Sequence, residues 1–406
     1  MAIPVEHRTK NTVPMEGVVP SAPEVPVAAP VTSGSTSQGR LDTILDHVCG
    51  KMSYGQLMDT FPLSDNIQDI CLTALRNGIH PRFWSMLNVM TEFDFTFIVD
   101  NSGSMSNFLS RSWVCGGLKT RYDELRSGAG HIVEIIAAID DDGFDLYTLN
   151  KVHNGDQVES QYGDFGGSRF VNICDPRQVE NIFSTPPHGR TPLNGAVNAA
   201  LHDHEMKNNG KPLMLLISTD GCPTDGNSMD DARRQLERTI HGRNRGSVFV
   251  TFIACSDMDD DIDFLDAFDD PPRYLHRTNR SHEQGSTGCD LNLIDGVETI
   301  SRFRTERRQV HGKQGRKFPY SKGDHHTRMI CAPVFPILDK LDQERMPDSF
   351  QTGEDFIPQT IYGLITKMAT DDPRVHKKMH KYAQNNHYIR EALADVPHPT
   401  KGCVVM

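Results

Sequence analysis

The sequence predicts an α/β fold: a doubly wound, mainly parallel sheet with helices on both faces. Three observations predict it. Apolar stretches rich in β-formers, Phe95–Val99, Pro212–Thr219 and Val248–Cys255, read as buried strands. Segments with apolar side chains at 3.6-residue spacing lie between them. The first two strands end abruptly in Asp100, Ser102 and Ser104 and in Asp220, at the strand ends where open α/β sheets place their ligands. Strands alternating with helices in this way imply parallel pairing through right-handed crossovers.

Residues 1–40 hold repeated Pro, Val, Ala, Ser and Gly, and the prolines through Val19–Val31 exclude both helix and central strand. This stretch reads as a disordered tail. Residues 41–92 read as a helical segment capping the next domain. Leu41, Ile44, Leu45 and Val48 mark its first helix, Asp65–Asn77 a second and Pro81–Val89 a third.

The central domain is expected over 93–312. Leu125, Ala129, Ile132, Val133 and Ile136 give one helix its buried stripe, and Phe144–Leu149 is a short strand. Helices are expected over Pro176–Phe183, Pro192–Met206, Met229–His241 and Asp261–Phe268. Leu291–Ile294 reads as a last strand, with Val297, Ile300 and Phe303 in a last helix. Residues 313–395 form a mixed, mainly helical extension, with candidates at Phe335–Leu341, Ile357–Thr366 and Val375–Leu393. Residues 396–406 are a flexible tail.

The composition is that of a globular protein, with 24% charged and 7% aromatic residues in 406. The net charge of −12 and the lack of a basic stripe argue against nucleic acid as a partner. Nine cysteines without a Cys-x-x-Cys pair, and an N-terminus without a signal-like apolar run, lead us to expect reduced thiols and a cytoplasmic protein. Cys174 and Cys255 are expected in the core. No apolar run approaches the ~20 residues that span a bilayer.

Asp100, Ser102 and Ser104 offer one carboxylate and two hydroxyls at a single strand end, a hard-oxygen set suited to Mg²⁺. Thr191, just before Pro192, is expected to cap the next helix. Asp220 closes the strongest strand, and Gly221 after it permits a sharp turn. In a doubly wound sheet Asp100, Thr191 and Asp220 can share one edge.

Together, Asp100-x-Ser102-x-Ser104, Gly189-Arg-Thr191-Pro-Leu and Thr219-Asp220-Gly-x-Pro-Thr-Asp225 resemble the three loops of the metal-ion-dependent adhesion site of von Willebrand factor A domains. The order and approximate spacing are those of the family, over about residues 93–310. The resemblance implies direct ligation by Ser102 and Ser104, action through bound water for Asp100 and Asp220, and a state-dependent role for Thr191. It implies Mg²⁺, with Mn²⁺ or Ca²⁺ as alternatives. One coordination position is left for an Asp or Glu carboxylate of a partner protein. Asp290–Asp295, Glu306-Arg-Arg, Phe318, Ser321–Asp324 and Leu338–Asp342 are similar, more loosely, to a tail of intracellular members. The expected function is a protein-binding scaffold or tether, not an enzyme. The alternatives are a hydrolase using the same ion, with His188 as the base beside it, or a structural subunit whose ion only stiffens the loops.

Other features read as ordinary. The chain has no Gly-x-x-x-x-Gly-Lys loop, no Gly-x-Ser-x-Gly elbow and no His-Glu-x-x-His helix. His202/His204 and His325/His326 are expected on solvated surface, and the five aspartates of Asp257–Asp263 at a solvated helix start. Cys403-Val-Val-Met406 fits a farnesylation signal. A single prenyl chain on Cys403 would give only weak, reversible membrane association, making the protein at most peripheral.

Overall fold

The computed structural model describes residues 37–109, 119–244, 246–256, 258, 261, 264–265, 268, 294–299, 303–353, 356–384, 386–394 and 396. Nearly all of the proline-rich stretch expected at 1–40, most of Asp257–Asp263 and the tail with Cys403 lie outside them.

The sheet has six strands, β1 (Asp94–Val99), β2 (Phe144–Thr148), β3 (Ser168–Ile173), β4 (Leu213–Thr219), β5 (Val248–Ala254) and β6 (Ile294–Thr299), in the order β3-β2-β1-β4-β5-β6. All neighbours are parallel except β2 and β3. The fold is therefore of the α/β class.

Period-2 alternation sends the strand side chains into two separate clusters. Phe95, Phe97, Val99, Met214, Leu216 and Phe249 join Leu125, Ala129, Ile132 and Ile136 of helix α5 (Arg121–Ile139). Ile98, Leu215, Ile217, Val250 and Phe252 join residues of α7 (Leu193–Lys207) and α8 (Met229–Gly242). Burying β1, β4 and β5 on both sides accounts for their unbroken apolar sequences.

The first cluster also takes in the N-terminal helices α1 (Ser37–Val48), α2 (Tyr54–Thr60), α3 (Ile67–Arg76) and α4 (Trp84–Val89). A short helix, α6 (Pro176–Ile182), precedes α7. Helices α9 (Phe303–Gln314) and α10 (Lys322–Cys331) begin the C-terminal extension, and Gln359–Asp371, Pro373–Tyr382 and His387–Ala392 complete it. Among the described residues no helix is long and apolar enough to cross a membrane.

A buried polar joint ties the two extensions together. The backbone N–H of His80 donates to Asp324 Oδ1 at 2.7 Å. Arg82, fully buried, donates to the carbonyls of Phe350 (2.7 Å) and Gln351 (3.0 Å) and to His80 Nδ1 (3.0 Å), and its guanidinium lies 4.5 Å from the Phe318 ring centre. Ser85 donates to the carbonyl of Phe356 at 2.8 Å.

Several expectations are corrected. The edge strand β3 and helix α2 had not been anticipated. The last strand runs to Thr299, so Val297 is in a strand and the helix begins only at Phe303. Phe335–Leu341 is a series of turns closing in a 3₁₀ turn, and Val375–Leu393 is broken between Tyr382 and His387. His325 and His326 are buried, because α10 is covered by the N-terminal segment and by α5, whose His131 stacks on His326 at 5.4 Å. Cys255 is buried but Cys174 is exposed, and Cys49 is disulfide-bonded, so not every cysteine is a thiol.

Candidate metal centre

The site grows from the end of β1. There the Asp100 N–H donates to Ser218 Oγ (3.3 Å), whose hydroxyl donates to the Ile98 carbonyl at 2.9 Å. Asp100 Oδ1 accepts the Ser102 N–H at 2.8 Å, closing a tight Asx turn. A 3₁₀ turn, Gly103–Ser106, follows and brings the Ser104 hydroxyl 3.0 Å from that of Ser102. From β4, Thr219 Oγ1 donates to Asp100 Oδ2 at 2.9 Å, and Asp220 Oδ1 accepts from Ser104 Oγ at 2.8 Å. Asp100, Ser102, Ser104 and Asp220 are thus brought together by direct bonds, at the carboxyl ends of adjacent parallel strands.

The loop carrying Thr191 reaches the same edge through its backbone. The carbonyl of Gly189 accepts from Gly103 N–H at 3.1 Å, and His188 N–H donates to the Asn101 carbonyl at 2.8 Å. Thr191 exchanges two bonds with Thr224, its N–H donating to Oγ1 and its carbonyl accepting the Thr224 N–H, both at 2.9 Å. It does not cap α7, as had been expected. That helix starts at Leu193, and Asp225 Oδ2 instead accepts the Gly195 N–H of its first turn at 2.9 Å. Asn101 and Asn150 pair reciprocally, Nδ2 of Asn101 to the Asn150 carbonyl (2.9 Å) and the Asn150 N–H to Asn101 Oδ1 (2.8 Å). This amide pair mimics one more rung of the β1–β2 ladder and fixes the first loop.

The electrostatics turn on two carboxylates, Asp100 at 0% and Asp220 at 1% exposure. Burial, and then the nearby Asp220 charge, push the Asp100 carboxyl up to about 6. Asp220 has a cationic partner that the sequence reading missed. Arg121, at the first position of α5, places Nη1 2.8 Å from Asp220 Oδ2 and Nη2 2.6 Å from Asp261 Oδ2. Burial works against the Arg121 charge, but the bonds to both aspartates outweigh it and raise its pKa. The donors to Asp100 among the described residues are neutral ones of Ser102 and Thr219.

Five oxygen donors, two of them buried carboxylates and three hydroxyl-bearing, fit a hard cation by chemistry. Among the described residues no group of three or more His, Cys, Asp or Glu side chains could hold a metal. A centre here therefore depends on its hydroxyls. His188 is exposed, and its Nδ1 lies 3.1 Å from the Pro186 carbonyl. No protein-family model matches the sequence, and no curated protein matches it.

Proposed function

We propose that this chain is a protein-binding module of the von Willebrand factor A type, with a doubly wound sheet. In this reading Mg²⁺ is held by Asp100, Ser102, Ser104, Thr191 and Asp220 and accepts a carboxylate from a partner protein. The ion's contribution, when bound, is a Lewis-acidic position for that Asp or Glu. The chain's own residues position the loops, exclude water from the two aspartates and keep their charges close. We assign no reaction to the site, and a cytoplasmic tether with a prenylated, weakly membrane-associated tail at Cys403 completes the proposal.

One observation carries the reading. Asp100 is fully buried, carries no cationic partner among the described residues and faces a second carboxylate. A buried charge in that position calls for a proton or a cation, and the Ser102 and Ser104 hydroxyls, 3.0 Å apart with Ser104 bonded to Asp220, offer further oxygen donors to one.

Thermal unfolding of the wild type and of Asp100→Ala, each with Mg²⁺, Mn²⁺ or EDTA, tests this. At ten times the dissociation constant, linkage gives about 1.4 kcal/mol of stabilisation, a midpoint rise of roughly 2 °C for a chain of this size. The rise should occur in the wild type and vanish in Asp100→Ala; no rise in the wild type would refute the metal reading.

The Arg121–Asp220 pair favours a second reading, in which the guanidinium takes the place of an ion beside Asp220. On that reading the guanidinium alone holds the loops, and the same experiment shows no ion-dependent rise in either protein.

A further inference from the structure

We infer that Arg121 sets the ion affinity of this site, acting as a built-in cation that competes with a divalent ion for Asp220. The inference rests on the metal reading above and adds to it a means of regulation.

The geometry behind it is direct. Arg121 is 5% exposed and lies between two aspartates, 2.8 Å from Asp220 and 2.6 Å from Asp261. With Ser104 on the other oxygen, both oxygens of Asp220 are engaged. An ion seated among Ser102, Ser104 and Asp220 would bring two positive charges close to a guanidinium that cannot lose its own. Ion and guanidinium cannot both have the full use of Asp220. Asp261 offers Arg121 an alternative: it is 36% exposed, accepts from the Ser256 hydroxyl at 2.7 Å, and can retain the guanidinium if Asp220 turns to the ion.

The exchange is thus between two arrangements. In one, Arg121 bridges Asp220 and Asp261. In the other, the ion takes Asp220 and Arg121 stays with Asp261 alone. The capping box that starts α5, with Thr120 Oγ1 accepting the Asp123 N–H at 3.0 Å, sits beside Arg121 and links the exchange to that helix. Ion affinity is then a difference between two cations, and anything that draws Arg121 further towards Asp261 strengthens ion binding.

The test is Mn²⁺ binding to the full-length chain, read by the loss of the free-Mn²⁺ paramagnetic resonance signal. Wild type, Arg121→Gln and Arg121→Lys are compared. Removing the charge should tighten Mn²⁺ binding about tenfold or more, within the usual range of coupling between two sites. Arg121→Lys keeps the charge but loses the two-pronged contact, and should fall between the other two. Equal or weaker binding by folded Arg121→Gln, with measurable binding by the wild type, overturns this inference and leaves the metal reading intact. No binding by any of the three overturns both. If Arg121→Gln does not fold, the wild type labelled with ¹⁵N-arginine decides. Saturating Mg²⁺ should then shift the Arg121 guanidinium resonances, and bound Mg²⁺ without such a shift overturns the inference.

Discussion

Thr219 Oγ1 donates to Asp100 Oδ2 at 2.9 Å, so the last residue of β4 holds the first carboxylate beyond β1. An asparagine at position 100 could keep this contact with its polarity reversed, because a hydroxyl both gives and accepts, while its carbonyl still takes the Ser102 N–H. Asp100→Asn should therefore be more stable than the wild type in EDTA at pH 7.5, by about 1–3 kcal/mol, because a buried unpaired charge is gone. It should also have lost any response to Mg²⁺. Urea unfolding of both proteins checks this.

The same pair predicts a pH dependence. The folded-state pKa of Asp100 is raised to about 6, so the native state holds that proton more tightly than the unfolded chain does. Its contribution to stability is complete below about pH 4 and is lost as the pH rises through about 6. In EDTA, the stability of the wild type relative to Asp100→Asn should fall across that window and level off above it. Asp140 and Asp324 are also raised to about 6, but they are present in both proteins and cancel in the comparison.

Gly189→Ala should damage the site through its loops. Gly189 has φ +75°, and an added Cβ would meet Asn150 Oδ1 at 2.3 Å. The Asn150 side chain donates to the Arg190 carbonyl at 2.8 Å while its backbone pairs with Asn101, so displacing it breaks the tie to the Arg190 loop and strains the strand end that holds Asn101. A loss of about 1–3 kcal/mol is expected, together with a weaker Mn²⁺ response. Thermal unfolding with and without Mn²⁺ measures both.

Arg82→Met should cost about 3–5 kcal/mol. It would leave the carbonyls of Phe350 and Gln351 and the Nδ1 of His80 without their guanidinium donors. Mn²⁺ affinity of the folded fraction should not change. Circular dichroism in urea and resonance titration separate the two effects.

The parts of the fold legible in the sequence are those where a single physical demand dominates. Burial on both faces forces continuous apolar character on β1, β4 and β5, and their ends point to Asp100 and Asp220. Strand β3 carries no such signal: it is an antiparallel edge with Arg169 in it, and that arginine is buried between two aspartates, Asp145 at 3.0 Å and Asp203 at 3.3 Å. His325 and His326 look like surface residues until α10 is covered by other parts of the chain. Ser321 and Asp324 form a capping box, a local signature that fixes where α10 starts but not what covers it. Arg121 could not be found by spacing, since it starts a helix and its partner Asp220 lies 99 residues away at the end of β4.

The joint between the two ends of the chain has a consequence for biosynthesis. His80, Arg82 and Ser85 find their partners 244, 268 and 271 residues later. At ribosomal rates the early helices wait roughly 15–50 s for those partners to be made. Throughout that interval α4 and the His80–Ser85 stretch lack their cover from the extension, and the apolar surface left open is a natural client for chaperones. A message truncated before about codon 350 would yield a product destined for proteolysis, not a smaller working module.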